Sequence, residues 1–129
     1  FNEKQLETIK QAIEDHRASS DHEPRSIYGK IVSSADRNDT VEKCLRRSYY
    51  IGKRRNPNYT DEQLFENAFQ VLTKKFGENG YAKFYFKDKK YEDFLTQIRS
   101  LLQDKGTFCN TQKAYIENLR KTEKKLDER

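Results

Sequence analysis

The residues best suited to chemistry lie in the first third of the chain, where a histidine and an aspartate each close an apolar segment. Residues 12–17 read AIEDHR, and residues 24–37 read PRSIYGKIVSSADR. Asp36 closes the second segment, and burying such a carboxylate without a partner costs free energy. A metal ion, an arginine or a helix N-terminus would supply that partner. The ordinary alternative is that Asp36 pairs with Arg37 or caps the helix that follows Thr40.

These two segments resemble the later part of the HD-superfamily metal-dependent phosphohydrolases. In that family the final metal-binding aspartate ends a helix that reads like AKIVxxAD, and residues 29–36 read GKIVSSAD. The preceding helix of the family often reads like AIxxH and is followed by a loop with a Pro-Ser step. Residues 12–16 and 24–26 match that pattern. The resemblance covers about residues 5–40, and the rest of the chain does not identify a family.

The resemblance implies a divalent metal ion, with Mn, Mg, Fe or Ni as candidates, held by Asp36 and His16. Such an ion activates a water molecule for attack on phosphorus. His16 also continues the apolar face of its predicted helix, so it is alternatively a substrate contact or a core histidine bonded to a backbone carbonyl. If both residues are ligands, we expect their side chains to converge on one cavity.

The sequence departs from the family pattern in its ligand set. HD-type sites also use an earlier histidine and a His-Asp dipeptide, but this sequence has no such dipeptide, and its histidines are His16 and His22. Catalytic metal sites generally use three or more protein ligands and an open position for water. We therefore expect the C-terminal portion of an HD-type enzyme, whose missing ligands would precede Phe1 and which is inactive by itself.

Positive charge is concentrated in residues 41–60, which contain six basic residues and Glu42 as the single acidic one. Some of these cations are candidates to bind a substrate phosphate, although charged helix faces are often simply solvated. The rival function is a non-catalytic helical module that binds nucleic acid or a protein partner through residues 43–55. The candidate phosphate contacts are Arg17, Arg37, Arg46, Arg47 and Lys53.

Several function classes find no support in the sequence. There is no GxxxxGK[ST] or GxGxxG phosphate loop, no GxSxG nucleophile motif and no zinc-finger spacing of Cys and His. No apolar run approaches the roughly 20 residues that span a bilayer, so no membrane partner is expected. Cys44 and Cys109 are predicted to be buried, reduced thiols, which favours a cytoplasmic protein. The expected ligand is a phosphate-containing small molecule.

The sequence predicts an all-α fold, an irregular bundle of five to six helices that forms a single domain over residues 1–129. Residues 1–55 would carry the site and residues 56–129 a family-specific helical extension. A TDEQ capping box starts a helix at Thr60, and residues 81–86 are a short strand or an extended packed loop. Four other helices are predicted at about residues 3–17, 25–38, 40–53 and 91–106. A final helix is predicted to begin after a cap at Asn110 or Thr111.

An HD domain buries its final-Asp helix against the helices that carry the other ligands. Without those helices, large apolar side chains of the first two predicted helices should lack full cover. A contiguous exposed apolar patch usually marks an interface. We therefore expect these side chains to line a groove or to be covered by a second copy of the chain in a homodimer. The residues concerned are Leu6, Ile9, Ile13, Ile27 and Ile31.

Overall fold

The computed structural model describes residues 1–20, 22–37 and 39–127, and the predicted all-α class is confirmed. Six helices follow one another: α1 (Glu3–Asp15), α2 (Ile27–Asp36), α3 (Val41–Arg55), α4 (Asp61–Phe76), α5 (Lys89–Leu102) and α6 (Lys105–Asp127). No strand occurs in these described ranges, and residues 81–86 form an extended packed loop. Within the described part of the chain, no helix is both long and apolar enough to cross a membrane. The predicted end of the second helix at Asn38 lies outside the described residues.

Side-chain caps explain where five of the helices begin. The Asn2 side chain forms a capping box with Gln5 at the start of α1, and Thr60 forms one with Gln63 at the start of α4. The side chains that cap α2, α3 and α5 each accept a hydrogen bond from a backbone N–H in the first turn, which satisfies a donor that the helix leaves free. These caps are Ser26, Thr40 and Asp88.

The last helix begins earlier than the sequence predicts. α6 starts at Lys105 and not at the Asn110–Thr111 pair. The Asp104 carboxylate accepts hydrogen bonds from the backbone N–H of Thr107 at 2.8 Å and from its hydroxyl at 2.7 Å. Asp104 therefore acts as the cap, and Gly106 lies in the first turn of α6 and does not end α5.

The hydrophobic core lies within helices α3 to α6. These four helices pack on one another, so α3 joins the later helices and not the first two. Aromatic rings dominate the core, and one close pair is Phe76 with Phe94, whose ring centroids lie 5.1 Å apart. The larger of the two core clusters is formed by Cys44, Leu45, Ala68, Leu72, Phe76, Tyr91, Phe94, Ile98, Leu102 and Phe108.

The first two helices form a hairpin whose seam is built from small residues. α1 and α2 pack on each other, and within the described part of the chain neither packs on another helix. Ala12, Gly29, Ser33 and Ser34 are buried in this region. A Cβ at Gly29 would lie 3.1 Å from the Pro24 Cβ and 3.6 Å from the Ala12 Cα. An added side chain at position 29 would therefore press on Pro24 in the turn before α2, while its distance to α1 is an ordinary van der Waals contact.

The large apolar residues of the hairpin are exposed because its narrow seam has room only for small side chains. The helical periodicity predicts an inward face on each of the two helices, and only its small members Ala12 and Ser34 are buried. The expectation that the same residues lack full cover is confirmed. Their exposed fractions are Leu6 53%, Ile9 41%, Ile13 60%, Ile27 61% and Ile31 50%.

The aromatic loop 81–86 connects the hairpin to the four-helix core. The Tyr85 backbone N–H donates to the Ser34 hydroxyl of α2 at 3.2 Å, and the Lys30 Nζ lies 5.7 Å from the Tyr85 ring centroid. On the other side of the loop, the Phe84 ring stacks on the Tyr91 ring of α5 with centroids 4.2 Å apart. This loop therefore sets the position of the hairpin relative to the core.

Candidate functional site

A buried carboxylate organises the turn between α1 and α2. Asp15 is 1% exposed, and its Oδ2 accepts hydrogen bonds from the Arg25 backbone N–H at 2.9 Å and from the Arg25 Nε at 3.0 Å. Its Oδ1 accepts from the Arg25 Nη2 at 3.0 Å and lies 3.1 Å from the His22 Nε2. The Arg25 hydrogen bonds hold the pKa of Asp15 well below its usual range, and Asp15 raises the pKa of Arg25 in return.

Asp15 is the inward residue at the end of α1, where the sequence analysis selected His16. The signal was present, because Asp15 follows the buried Ala12 by three residues and therefore lies on the same helix face. His22, which follows in the turn, contacts this carboxylate. Arg25 also donates to Glu14 at 2.9 Å, so one arginine ties the turn to the last two residues of α1.

The structure does not bring His16 and Asp36 into one cavity. The His16 ring is half-buried, and its Nδ1 is in hydrogen-bond contact with the Ile13 carbonyl of its own helix. Asp36 is exposed as the last residue of α2. Neither residue lines any of five cavities found in the described part of the chain. Over residues 1–20, 22–37 and 39–127, no group of three or more His, Cys, Asp or Glu could hold a metal ion.

Among the described residues, Asp36 neither pairs with Arg37 nor caps α3, which were the alternatives to a metal-binding role. Arg37 donates to the Ser33 carbonyl and hydroxyl, and no ion pair joins it to Asp36. The Thr40 hydroxyl caps α3 by accepting from the Lys43 backbone N–H at 3.2 Å. The Asp36 carboxylate is therefore left without a hydrogen bond or ion pair in the described part of the chain.

A small polar cavity lies between the α1–α2 turn and the aromatic loop. Its volume is about 90 Å³, and its walls include the cations Arg17, Arg37 and Lys83. Tyr81 and Tyr85 line it from the loop side. This cavity brings together the two predicted phosphate contacts that belong to the hairpin.

The loop residues of this cavity are not among the predicted site residues. A signal for them exists in the run YAKFYF at residues 81–86. In an extended chain alternate side chains point to the same side, so Tyr81, Lys83 and Tyr85 share one face. That face is the one turned to the cavity.

Arg37 is the most unusual residue of this cavity because its side chain is buried and only partly paired. It is 3% exposed, and its side chain makes two hydrogen bonds to described residues, both from Nη1 to Ser33. Its Nε is buried and has no acceptor among the described residues. A guanidinium stays protonated in proteins, so burial cannot be relieved by loss of its proton.

The other three predicted phosphate contacts lie on α3 and line none of the cavities near the hairpin. Arg46, Arg47 and Lys53 are all exposed. The Arg47 Nη1 lies 3.8 Å from the Asp39 carboxylate, and the Lys53 Nζ lies 6.0 Å from the Tyr49 ring centroid. The predicted set of five cations is therefore divided between two separate surfaces.

A second, apolar cavity runs along the open face of the hairpin. It has a volume of about 580 Å³ and is lined by Ile9, Ala12 and Ile13 of α1 and by Tyr28 and Val32 of α2. Of the five residues predicted to lack cover, Ile9 and Ile13 line this groove, while the other three are exposed but do not line it. An exposed apolar surface of this kind is typical of an interface.

The remaining titratable groups of interest serve the core. Burial raises the pKa of the Cys44 thiol to about 12, and Cys109 is half-buried, with its pKa also raised by burial. The prediction of a buried, reduced thiol therefore holds for Cys44 and only in part for Cys109. Neither thiol has the lowered pKa of a nucleophile.

Comparison of the chain with known protein families, with curated proteins and with solved structures finds no match.

Proposed function

We propose that this chain is the C-terminal portion of an HD-type metal-dependent phosphohydrolase that acts on a phosphate ester or a nucleotide. The observation that carries the proposal is the exposed Asp36 carboxylate at the end of α2, which no described residue pairs. The next residue, Arg37, lines the cationic cavity. Metal-dependent phosphoryl chemistry needs a carboxylate that is free to bind an ion and cations that face the phosphate oxygens.

The residues present do not fit a complete metal centre. Asp36 supplies one carboxylate, and the His16 Nδ1 is engaged by the Ile13 carbonyl, which leaves at most its Nε2 as a ligand. The proposal therefore requires ligands that the described residues do not provide. The open apolar face of the hairpin supports it, because the resemblance implies that the helices with those ligands pack on the final-Asp helix. By itself the chain is expected to bind Mn²⁺ or Mg²⁺ weakly and to lack appreciable phosphatase activity.

The test uses the protein expressed from its complete natural reading frame, supplied with Mn²⁺ and assayed on phosphate monoesters and nucleotides. Asp36→Asn is expected to lower kcat/KM by about a hundredfold or more, since even changes to groups behind the ligands cost about 10–100-fold. Asp93→Asn, which removes an exposed carboxylate of α5, is the matched control and should leave activity unchanged. A fully active Asp36→Asn enzyme would contradict the proposal.

A second candidate function is the binding of nucleic acid by α3, and a specific geometric observation favours it. The cations at positions 43, 46, 47, 53 and 54 are all exposed, and their three- and four-residue spacing places them on one face of the helix. The half-buried Tyr50 lies on the same face. Basic side chains around an aromatic ring can bind a phosphate backbone and stack bases.

This candidate is tested by fluorescence anisotropy with a labelled single-stranded oligonucleotide. Binding by such a face should weaken steeply with salt, with a slope of about −0.7 in log K per neutralised phosphate. Replacing Arg46, Arg47 and Lys53 together by Gln should reduce both the affinity and the slope. Replacing three exposed lysines at the end of α6 is the matched control, namely Lys121, Lys124 and Lys125. Affinity that does not depend on salt would contradict the idea.

A further inference from the structure

The cavity between the α1–α2 turn and the loop 81–86 contains more positive charge than the described acidic residues that line it balance. Asp15 lines it, but the Asp15 carboxylate is already bound by Arg25 in three hydrogen bonds. Glu23 lines it as well, and its Oε1 lies 2.9 Å from the Lys30 Nζ. Asp15 and Glu23 are therefore paired with Arg25 and Lys30, neither of which lines the cavity.

The three cations that remain have no such partner among the described residues. Arg17 and Lys83 are exposed, and no ion pair joins either of them to a described carboxylate. Arg37 is buried, with an exposed fraction of 3%, and its Nε has no acceptor among the described residues. Burying an ion without a counter-charge costs several kcal/mol even after relaxation. A ligand that brings negative charge to this cavity would remove much of that cost.

We propose that this cavity is a binding site for a tetrahedral oxyanion, namely inorganic phosphate or the phosphoryl group of a phosphomonoester. The Arg37 side chain, which lines the cavity, would contact one oxygen, and the exposed side chains of Arg17 and Lys83 would neutralise the others. A phosphomonoester carries about 1.5 to 2 negative charges at neutral pH and offers three acceptor oxygens, which suits a cavity lined by three cations.

The size of the cavity agrees with such a ligand. A volume of about 90 Å³ holds a few water molecules or one tetrahedral oxyanion, and it excludes a whole nucleotide. A phosphomonoester would therefore bind with only its phosphoryl group inside. The Tyr81 and Tyr85 side chains stand at the loop side of the cavity, where the organic part of an ester would emerge.

This site does not depend on a metal ion and so goes beyond the proposed hydrolase function. It would supply that enzyme with a place for the substrate phosphate, but it requires only the residues of this chain. The two ideas therefore fail separately. Phosphate binding in the presence of EDTA, and in the Asp36→Asn variant, supports the oxyanion site whether or not the chain belongs to a hydrolase.

The test is a titration of the ¹⁵N-labelled chain with inorganic phosphate in EDTA, followed through the Nε–Hε signal of Arg37. Arg37→Lys identifies that signal by its loss. We expect the signal to move in a saturable manner with phosphate, and chloride at equal ionic strength to leave it in place. A phosphomonoester such as phenyl phosphate should move it similarly, which separates a site for the phosphoryl group from one restricted to the free ion.

Variants of the exposed cations keep the proposal testable if Arg37→Lys does not fold. Removing a charge-assisted hydrogen bond costs about 1.5–3 kcal/mol, so Arg37→Lys should weaken binding by about ten- to a hundredfold. Arg17→Gln and Lys83→Gln should each weaken it several-fold, because their contacts are more exposed to solvent. Arg54→Gln removes one exposed cation from α3 and is the matched control. An Arg37 signal that phosphate does not move, or equal affinity in all variants, would overturn the proposal.

Discussion

The substitution Gly80→Ala is expected to disturb the loop that carries one wall of the oxyanion cavity. A Cβ at Gly80 would lie 2.5 Å from the Lys75 carbonyl oxygen, 2.7 Å from its carbon and 2.9 Å from the Gly77 nitrogen. Real Cβ atoms essentially never approach closer than 3.0 Å, so the backbone must move by about 0.5 Å or more. The atoms in the way belong to the backbone, which cannot rotate aside as a flexible side chain would.

The cost follows from the hydrogen bonds that this movement strains. The turn is held by Gly80 N to Gly77 O at 2.8 Å, Tyr81 N to Lys74 O at 3.0 Å and Ala82 N to Lys75 O at 2.9 Å. Each such bond contributes about 0.5–1.5 kcal/mol, and overpacking typically costs about 1–3 kcal/mol. Alanine restricts the unfolded chain more than glycine does, which offsets about 0.4–1 kcal/mol of this cost. We therefore expect the free energy of unfolding to fall by about 1–2 kcal/mol.

Urea denaturation and amide hydrogen exchange together measure this effect. The exchange of the Tyr81 and Ala82 amides should accelerate, because those amides donate the hydrogen bonds of the turn. Gly106→Ala is the matched control, since a Cβ there meets only the Asp104 Oδ2 at 3.4 Å and lies within α6. That control should gain up to about 1 kcal/mol of stability. Unchanged stability and unchanged amide exchange in Gly80→Ala would refute the steric reasoning.

Three further predictions concern pH and the open apolar face. Burial, followed by the hydrogen bond to Asp61, raises the pKa of Tyr49 to about 12, so the unfolded chain loses the phenolic proton at a lower pH than the folded chain. In urea titrations, wild-type stability should therefore fall between about pH 10 and 12, and Tyr49→Phe should lack this fall. The pKa of Asp15 is lowered from the ordinary aspartate value of 3.8, so its ionised carboxylate stabilises the fold at higher pH. Asp15→Asn should therefore be less stable at neutral pH, and the difference should shrink as the pH drops below 3.8. Ile13→Lys and Ile31→Lys should each change the unfolding free energy by no more than about 0.5 kcal/mol, because both side chains are at least half exposed, while binding of an environment-sensitive apolar dye should decrease.

Local features of the sequence were enough to predict the helical class and most helix starts. The capping box at Thr60 and the caps at Asn2 and Thr40 act between residues three positions apart, so the sequence contains all of their partners. The start of α6 was missed because Gly106 is a common helix stop, while the neighbouring Asp104 is a cap whose effect outweighs it here. Competing local signals of this kind are decided by which hydrogen bonds the folded chain makes.

The candidate site depended on contacts that the sequence does not display. Periodicity predicts inward positions for Ile27 and Ile31, but both side chains are exposed, and the buried residues of the hairpin seam are small ones such as Ala12 and Ser33. His16 and Asp36 follow the HD pattern in sequence, and their role as metal ligands stays a prediction. The meeting of Arg37 with Lys83 is decided by the loop 81–86, which returns to the hairpin far along the chain. Local sequence thus determined the helices and their caps. The tertiary structure alone decided which cations share a cavity, because burial and charge depend on neighbours that are distant in sequence.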